Sequence, residues 1–128
     1  MTVIVDTHVL LWFVAGDKRL TRHARSTIES EENTCYVSLA AWWEVAIKLS
    51  LERLRLDEPL DAFIESRIGE GFRSLPVEVE HIAKVATLPF HHRDPFDRLM
   101  ISQSIEEDMP VVTGDVDFSK YGIRVIWG

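Results

Sequence analysis

The sequence has little that would serve an exported or membrane-bound protein. Its single cysteine, Cys35, cannot form a disulfide within the chain, and it lies in an apolar run that favours a buried thiol. The N-terminus has neither the basic segment nor the long apolar segment of a secretory signal. No stretch approaches the roughly 20 apolar residues that span a bilayer. We therefore expect a cytoplasmic protein that has no contact with a membrane.

The sequence also lacks internal repeats, low-complexity segments and Gly/Ser-rich linkers. Its 128 residues suit one compact domain and leave little room for a second hydrophobic core. Apolar residues make up 46% of the chain and charged residues 27%, which is the composition of an ordinary globular protein. We expect a single domain over residues 1–128.

Basic residues are in the minority, with 14 Lys and Arg against 21 Asp and Glu, and the formal net charge is −7. This balance counts against general nucleic-acid binding, which depends on cations that meet phosphates. Two arrangements would remove the objection. Bound metal could neutralise several acids, or the basic residues could gather on one face.

Motifs of the common cofactor sites and zinc sites are missing. The chain has no Gly-rich phosphate loop, no Walker sequence and no GxGxxG. His8, His91 and His92 have no companion Cys or Glu at a recognisable zinc spacing, and there is no HExxH. We therefore expect no zinc site.

Short strand candidates alternate with helical patterns along the whole chain. Strands are predicted at residues 3–5, 34–37, 75–77, 111–113 and 124–126. Helices are predicted at 21–30, 39–51, 59–69 and 82–86, and a last long one begins at 94–95. This alternation with short connections predicts an α/β domain with a mainly parallel sheet. In such sheets, ligands bind beyond the carboxyl ends of the strands.

Two acids follow predicted strands directly. Asp6 closes the first strand, and Asp115 lies just beyond the strand at 111–113. Both are therefore expected at the edge of the sheet where a site would form. Turn chemistry is the competing interpretation, because Asp side chains in loops often accept hydrogen bonds from their own backbone.

Glu44 lies within a helix whose other residues are nearly all apolar. An acid in such a setting is either part of a site or paired with a cation. Lys48 stands four residues later in the favourable orientation for an ion pair, which is worth about 0.3 kcal/mol on a helix surface. That pair is compatible with a functional role, which we favour.

The segment Asp94-Pro95-Phe96-Asp97 opens the last long helix. Pro95 at the first helical position makes Asp94 the N-cap, which accounts for this acid. An acid in the first turn also complements the helix dipole, so the role of Asp97 stays open on local grounds. Asp117 is either a supporting acid near Asp115 or an exposed turn residue, and the turn is slightly favoured.

Taken in order, these features resemble the PIN-domain nucleases. They are an Asp at the end of the first strand, Trp43-Glu44 in the second long helix, DPFDR at 94–98, and TGDVDF at 113–118. More narrowly, the chain resembles a VapC-type toxin of a bacterial or archaeal toxin–antitoxin pair. The resemblance covers essentially all 128 residues, and HRDPFDRL at 92–99 is among its most specific parts.

The resemblance implies a three-layer α/β/α domain whose central sheet is mainly parallel and has about five strands. It assigns metal binding and catalysis to four acids, namely Asp6, Glu44, Asp97 and Asp115. Thr113 matches the Ser or Thr that orients the fourth acid by hydrogen bonding. Asp94 and Asp117 have weaker counterparts and are left as supporting residues around the ligands.

Four carboxylates that converge on one pocket repel one another. At about 4 Å and an effective dielectric constant of about 20, each pair costs roughly 4 kcal/mol, so the cluster must bind cations or protons. Oxygen ligands suit Mg²⁺ or Mn²⁺. The expected reaction is metal-assisted hydrolysis of RNA phosphodiesters. The resemblance further implies 5′-phosphate and 3′-hydroxyl product ends, a cognate antitoxin that blocks the pocket, and a homodimeric toxin.

Three cations near the acids in sequence are candidates for binding RNA phosphates, namely Lys48, Arg93 and Arg98, although each could simply belong to a solvated face. Two other functions stay open. One is an Asp-dependent Mg²⁺ phosphatase with Asp6 as nucleophile, although such families usually carry a second Asp where His8 stands here. The other is a PIN-like binding module without catalytic activity.

Overall fold

Five short parallel strands form the centre of the computed structural model, which describes residues 1–128. The strands are β1 (Thr2–Val5), β2 (Thr34–Ser38), β3 (Arg73–Leu75), β4 (Val111–Val112) and β5 (Val125–Ile126). Their order in the sheet is β3-β2-β1-β4-β5, and every neighbouring pair is parallel. The predicted fold class, with about five mainly parallel strands, is confirmed.

Six α-helices and one 3₁₀ segment connect the strands. The helices are α1 (Thr7–Ala15), α2 (Arg22–Glu29), α3 (Leu39–Ser50), α4 (Leu60–Gly69), α5 (Val79–Val85) and α6 (Pro95–Glu107), and the 3₁₀ segment is Val116–Tyr121. None of these helices combines the length and the apolar character needed to cross a lipid bilayer.

Successive side chains of a strand point to opposite faces of the sheet, and helices cover both faces. Both faces are therefore buried. Val3 and Val5 pack into a core that α1, α2, α3 and α4 complete. Ile4, between them in sequence, packs into a second core with Met100 of α6 and Phe118 of the 3₁₀ segment. The three layers predicted from the resemblance follow from this alternation.

The strand order places a topological switch point between β1 and β4. The chain moves outward from β1 to β2 and β3, and then returns to form β4 on the other side of β1. The loops that leave two adjacent strands therefore diverge and open a crevice at their carboxyl ends. Asp6 follows β1 and Asp115 follows β4, so both acids lie at this crevice.

Four elements differ from the sequence prediction. Helix α5 begins at Val79, three residues before the predicted helix at 82–86. Helix α1 was not predicted, because Thr7–Ala15 is apolar on nearly all sides and shows no helical period. The 3₁₀ segment at Val116–Tyr121 was also missed. Strand β3 ends at Leu75 instead of covering 75–77, because Pro76 has no N–H with which to extend the ladder.

The second core offers a direct test of the layered architecture. Met100 is fully buried there, so Met100→Ala is expected to lower the free energy of unfolding by about 2–5 kcal/mol. Urea unfolding followed by circular dichroism measures the change. Val79→Ala is a suitable control, because Val79 is 77% exposed and its loss should cost at most about 0.5 kcal/mol. Equal effects of the two substitutions would contradict the packing described.

Candidate active site

Asp6 stands between β1 and α1 and is 6% exposed. It occupies the N-cap position of α1, yet its carboxylate does not cap the helix. Instead, Oδ2 accepts a hydrogen bond from the Thr113 hydroxyl at 2.8 Å, and the buried Oδ1 has no partner. Burial, with a smaller contribution from the charge of Glu44, raises the pKa of Asp6. The Asp6 carboxylate therefore does not accept the hydrogen bond from its own turn that the competing interpretation expected.

Thr113 connects the ends of the two central strands. Its hydroxyl donates to the Asp6 carboxylate and accepts the backbone N–H of Asp115 at 3.1 Å. The resemblance implied that this residue orients the fourth acid. The structure adds that its side chain contacts the first acid, whereas it contacts the fourth only through the backbone.

Glu44 lies on α3 and is 5% exposed. Its Oε2 forms an ion pair with Lys48 Nζ at 3.1 Å, as the i,i+4 spacing predicts, and its buried Oε1 has no hydrogen-bond partner. The ion pair therefore satisfies only one of the two carboxylate oxygens. The other remains available to a cation or a water.

Capping at the start of α6 separates the roles of its two acids. Asp94 accepts the backbone N–H groups of Phe96 and Asp97 at 2.8 and 3.1 Å, with Pro95 at the first position, so the predicted capping is confirmed. The Asp97 carboxylate therefore takes no part in the capping. Burial first, and then the charges of Asp6 and Asp94, raise the pKa of Asp97 to about 8.

His92 is the site residue that sequence reasoning missed. Its Nε2 lies 3.1 Å from Asp97 Oδ2 and 2.7 Å from Asp115 Oδ2, so one imidazole joins acids from two elements. His92, Asp97 and Asp115 are also the one group of potential metal-binding side chains whose ligand atoms all lie within 4.8 Å of one another. Sequence reasoning considered this histidine only as a zinc ligand, and a search for zinc-ligand spacing could not reveal its contacts with Asp97 and Asp115. Its place just before the N-cap of α6 was the available signal.

Asp115 and Asp117 have different environments. Asp115 Oδ1 accepts the backbone N–H of Asp117 at 2.9 Å, while its Oδ2 meets His92. Asp117 pairs with Lys120 at 2.7 Å and its side chain is 37% exposed, and this ion pair lowers its pKa. The Asp117 side chain is therefore paired with Lys120, whereas its backbone N–H supports the Asp115 carboxylate.

The structure also corrects the role expected of Arg98. This residue is 6% exposed, and its guanidinium donates to the carbonyl oxygens of Val85, Leu88 and Pro89 at 2.9–3.2 Å. Its donors are therefore committed to the chain before α6 and are unavailable to phosphates. Arg93, in contrast, is exposed and forms no ion pair.

An open cleft of about 480 Å³ lies at the carboxyl edge of the sheet. Asp6, Asp97 and Asp115 line it, together with His8, Trp12, Arg19, Gly114 and Trp127. Trp127 limits the space behind the loop that follows β4, because a Cβ on Gly114 would lie 2.9 Å from its ring. Three of the four predicted acids thus share one solvent-accessible surface, whereas Glu44 is buried and does not line the cleft.

The donor set fits a hard divalent cation. The acids raise one another's pKa, since Glu44 acts on Asp6 and both act on Asp97. Asp6 and Glu44 each keep one buried oxygen without a partner, which is an arrangement that a cation or ordered water would satisfy. Carboxylate oxygens at this density suit Mg²⁺ or Mn²⁺.

Comparison with known proteins identifies the family. The family model of the PIN domain matches residues 3–124, a segment that includes all four acids and Thr113. The chain belongs to the PIN-domain family. Within it, a curated relative is ribonuclease VapC22 of Mycobacterium tuberculosis, which is 30% identical over 115 residues, covering 89% of this chain and 87% of that protein. The resemblance to VapC-type proteins is therefore confirmed.

Solved structures share the fold at low sequence identity. VapBC2 from Rickettsia felis, bound to a DNA fragment from its promoter, matches with a TM-score of 0.73 and 12% identity, over 98% of this chain and 97% of that one. A toxin–antitoxin complex from Klebsiella pneumoniae matches with a TM-score of 0.62 and 16% identity, over 91% and 90% of the two chains. These two likenesses support the PIN fold of the present domain.

The raised pKa of Asp97 makes stability depend on pH. Between about pH 4 and 8 the folded protein binds more protons at this carboxyl than the unfolded chain does, so its contribution to stability falls as the pH rises. In a chelator, Asp97→Asn should therefore stabilise the protein on the order of a few kcal/mol at pH 8.5 and less at pH 5. Urea unfolding at the two pH values measures this.

Glu65→Gln is the matched control, because Glu65 is an exposed acid of α4. Its substitution should change stability little and similarly at both pH values. Mg²⁺ should stabilise the wild type at pH 8.5 more than it stabilises Asp97→Asn. A wild-type stability that rises between pH 5 and 8.5 in chelator, together with no gain from Asp97→Asn, would show that Asp97 is not electrostatically strained.

Proposed function

We propose that this PIN-domain protein is a divalent-metal-dependent endoribonuclease and the toxin of a toxin–antitoxin pair. The observation that carries the proposal is the convergence of four acids from separate elements on the carboxyl edge of β1 and β4. They are Asp6, Glu44, Asp97 and Asp115. Two of them keep buried oxygens without partners. The relationship of the chain to a VapC ribonuclease supports RNA hydrolysis as the class of reaction.

The protein's own residues prepare the site for a phosphodiester. Thr113 fixes the Asp6 carboxylate, and Lys48 balances part of the charge of Glu44. The cap at Asp94 leaves Asp97 facing the cleft. Mg²⁺ or Mn²⁺ held by these acids would supply the charge that activates a water for in-line attack on phosphorus and stabilises the leaving oxygen. The family resemblance implies that the P–O bond to the 3′ oxygen breaks, which would leave 5′-phosphate and 3′-hydroxyl ends.

A groove beside the cleft supports a polyanionic substrate. It has a volume of about 580 Å³ and shares His8, Trp12 and Arg19 with the cleft. Arg53 and Arg55 in its wall are exposed and form no ion pair. Although the whole chain carries a charge of −7, free cations therefore stand beside the acids. Exposed Arg93 is a further candidate for contact with phosphates.

Two protein partners belong to the same proposal. An antitoxin would inhibit most directly by filling the groove, because the groove leads to the acids and part of its lining is apolar. A homodimer is proposed through the exposed apolar side chains of Leu39 and Trp43, which lie one turn apart on α3. Trp43 also contacts Phe96 edge-to-face at 5.3 Å, which extends this apolar patch toward α6.

Cleavage of RNA tests the proposed reaction. Purified protein with Mg²⁺ or Mn²⁺ is expected to cut RNA and to leave 5′-phosphate ends, whereas a chelator or Asp6→Asn should lower the rate by at least about 100-fold, because each removes the charge that stabilises the transition state. Sequencing of the product ends identifies the position of cleavage in the RNA and whether each product carries a 5′-phosphate. The variant Glu65→Gln, which replaces an exposed acid of α4, should cut RNA at the wild-type rate.

The same preparations separate the alternatives. Hydrolysis of a small phosphomonoester, lost in Asp6→Asn, with no RNA cleavage would indicate the phosphatase. Tight metal binding without hydrolysis of either substrate would indicate a silent binding module. RNA cleavage that survives both chelator and Asp6→Asn would overturn the metal-dependent mechanism.

The groove predicts a second result, on RNA binding. If Arg53 and Arg55 each contact a phosphate, replacing both with Ala should weaken binding and reduce the salt dependence of log K by about 2. Fluorescence anisotropy with an RNA that the wild type cleaves, measured in the Asp6→Asn background, gives this slope. Arg73→Ala is the control, because Arg73 is exposed at the amino end of β3. An unchanged slope in the double variant would remove the groove from the RNA path.

A further inference from the structure

Two indole rings line the cleft beside the acids. Trp12 of α1 and Trp127, which follows β5, lie in the same cleft as Asp6, Asp97 and Asp115. Both tryptophans are half-buried, and part of each packs against the first core. Divalent cations such as Mg²⁺ take oxygen ligands, which an indole does not offer. The aromatic part of the cleft therefore fits a ligand other than the metal.

Local contacts hold Trp127 next to the loop of the fourth acid. Its ring centroid lies 6.1 Å from that of Trp12, and the two planes meet at 51°. A Cβ on Gly114 would lie 2.9 Å from the Trp127 ring, so glycine lets the indole approach the backbone directly before Asp115. The Thr21 hydroxyl donates to the backbone carbonyl of Trp127. The position of this ring beside the acids is thus built into the fold.

Arg19 adds a second kind of flat surface to the same cleft. Its guanidinium carbon lies 4.9 Å from the centroid of the Trp12 ring. Its Nε and Nη2 donate to the Asp17 carboxylate at 2.7–3.3 Å, so Asp17 holds the guanidinium plane in place and offsets its charge. Arg19 therefore contributes a fixed plane more than a free cation. Nucleobases stack both on aromatic rings and on guanidinium planes.

We infer that Trp12, Trp127 and Arg19 form a subsite for an unpaired nucleobase of a nucleotide that adjoins the scissile phosphate. The inference rests on the proposed ribonuclease activity, because the acids of the same cleft would hold the metal and the phosphate. The base on a ribose next to that phosphate is the flat group nearest to the two indoles. A base within a duplex is paired and stacked on its neighbours, so only an unpaired base is free to enter.

A flat side chain of a protein partner is the competing occupant of this subsite. Covalent connection favours the base, because a phosphate bound at the acids brings its two flanking nucleosides into the cleft. Trp12 and Arg19 also line the neighbouring groove, whose wall carries the exposed Arg53 and Arg55. The subsite thus lies where the groove proposed for RNA meets the acids.

RNA that lacks a single base tests the subsite. The substrates are an oligonucleotide that the wild type cleaves at a mapped position, and two derivatives with an abasic ribose on the 5′ or the 3′ side of that position. One of the two derivatives is expected to have a kcat/KM at least about 10-fold below that of the intact RNA, because stacking of one base supports a factor of this size. A third derivative, abasic at the far end of the oligonucleotide, should be cleaved like the intact RNA.

Two variants of Trp127 separate stacking from apolar packing. Trp127→Leu keeps an apolar side chain but has no flat ring, so it is expected to lower kcat/KM for intact RNA by about 10-fold. It should also remove most of the abasic penalty, which is the ratio of kcat/KM for intact RNA to that for abasic RNA. Trp127→Phe retains a ring and should retain most of the penalty. Val79→Ala, an exposed position of α5 outside the cleft, should retain all of it.

Arg19→Gln gives a second test that leaves the core intact, because the Arg19 side chain is 68% exposed. This variant loses the guanidinium plane and is expected to reduce the abasic penalty as well. Circular dichroism confirms that each variant is folded before its kinetics are compared.

Two results would overturn the subsite while the proposed ribonuclease stands. One is equal cleavage of intact RNA and both flanking abasic derivatives by the wild type, which would leave a protein side chain as the occupant. The other is a full abasic penalty in both Trp127→Leu and Arg19→Gln, which would place the base elsewhere. A wild type that cleaves no RNA in Mg²⁺ or Mn²⁺ would overturn the ribonuclease and the subsite together.

Discussion

The burial of negative charge at the carboxyl edge of β1 and β4 is the constraint on which the rest of the structure depends. Asp6 and Glu44 are each more than nine-tenths buried, and both act on Asp97. Carboxylates in such a position cannot all be ionised without compensating charge. The surrounding hydrogen bonds and ion pairs stabilise these carboxylates in part. The buried oxygens without partners are those that the protein leaves unstabilised.

The compensation comes from different parts of the chain and takes different forms. Lys48 neutralises Glu44 from within the same helix, so this ion pair is local. Thr113 reaches Asp6 across two neighbouring strands, and His92 joins Asp97 of α6 to the loop after β4. Strain of this kind in a folded protein is typical of functional sites, where stability is sacrificed for chemistry. The site is thus poised for a cation because the protein itself supplies too little positive charge.

Sequence reasoning succeeded where the physical cause was local. The cap at Asp94 and the Glu44–Lys48 pair each join neighbours within four residues, and the strand at residues 3–5 is marked by a short apolar run. It failed where the cause was a contact between distant segments. Arg98 resembled a phosphate-binding residue because it adjoins Asp97, yet its guanidinium binds carbonyl oxygens of the preceding loop. Helix α1 was missed because it is apolar on nearly all sides and has little polar face to reveal its period.

The sequence by itself determined the alternation of strands and helices, the placement of Asp6 and Asp115 after strands, and the family to which these motifs belong. The elements and the acids after strands could be predicted because hydrophobic period and turn chemistry act over a few residues, whereas the family came from the resemblance of the motifs. Only the tertiary structure decided that Thr113 satisfies one oxygen of Asp6 and that His92 stands between two acids. Those contacts join residues up to 107 positions apart, and their distances exist only once the parallel sheet has formed.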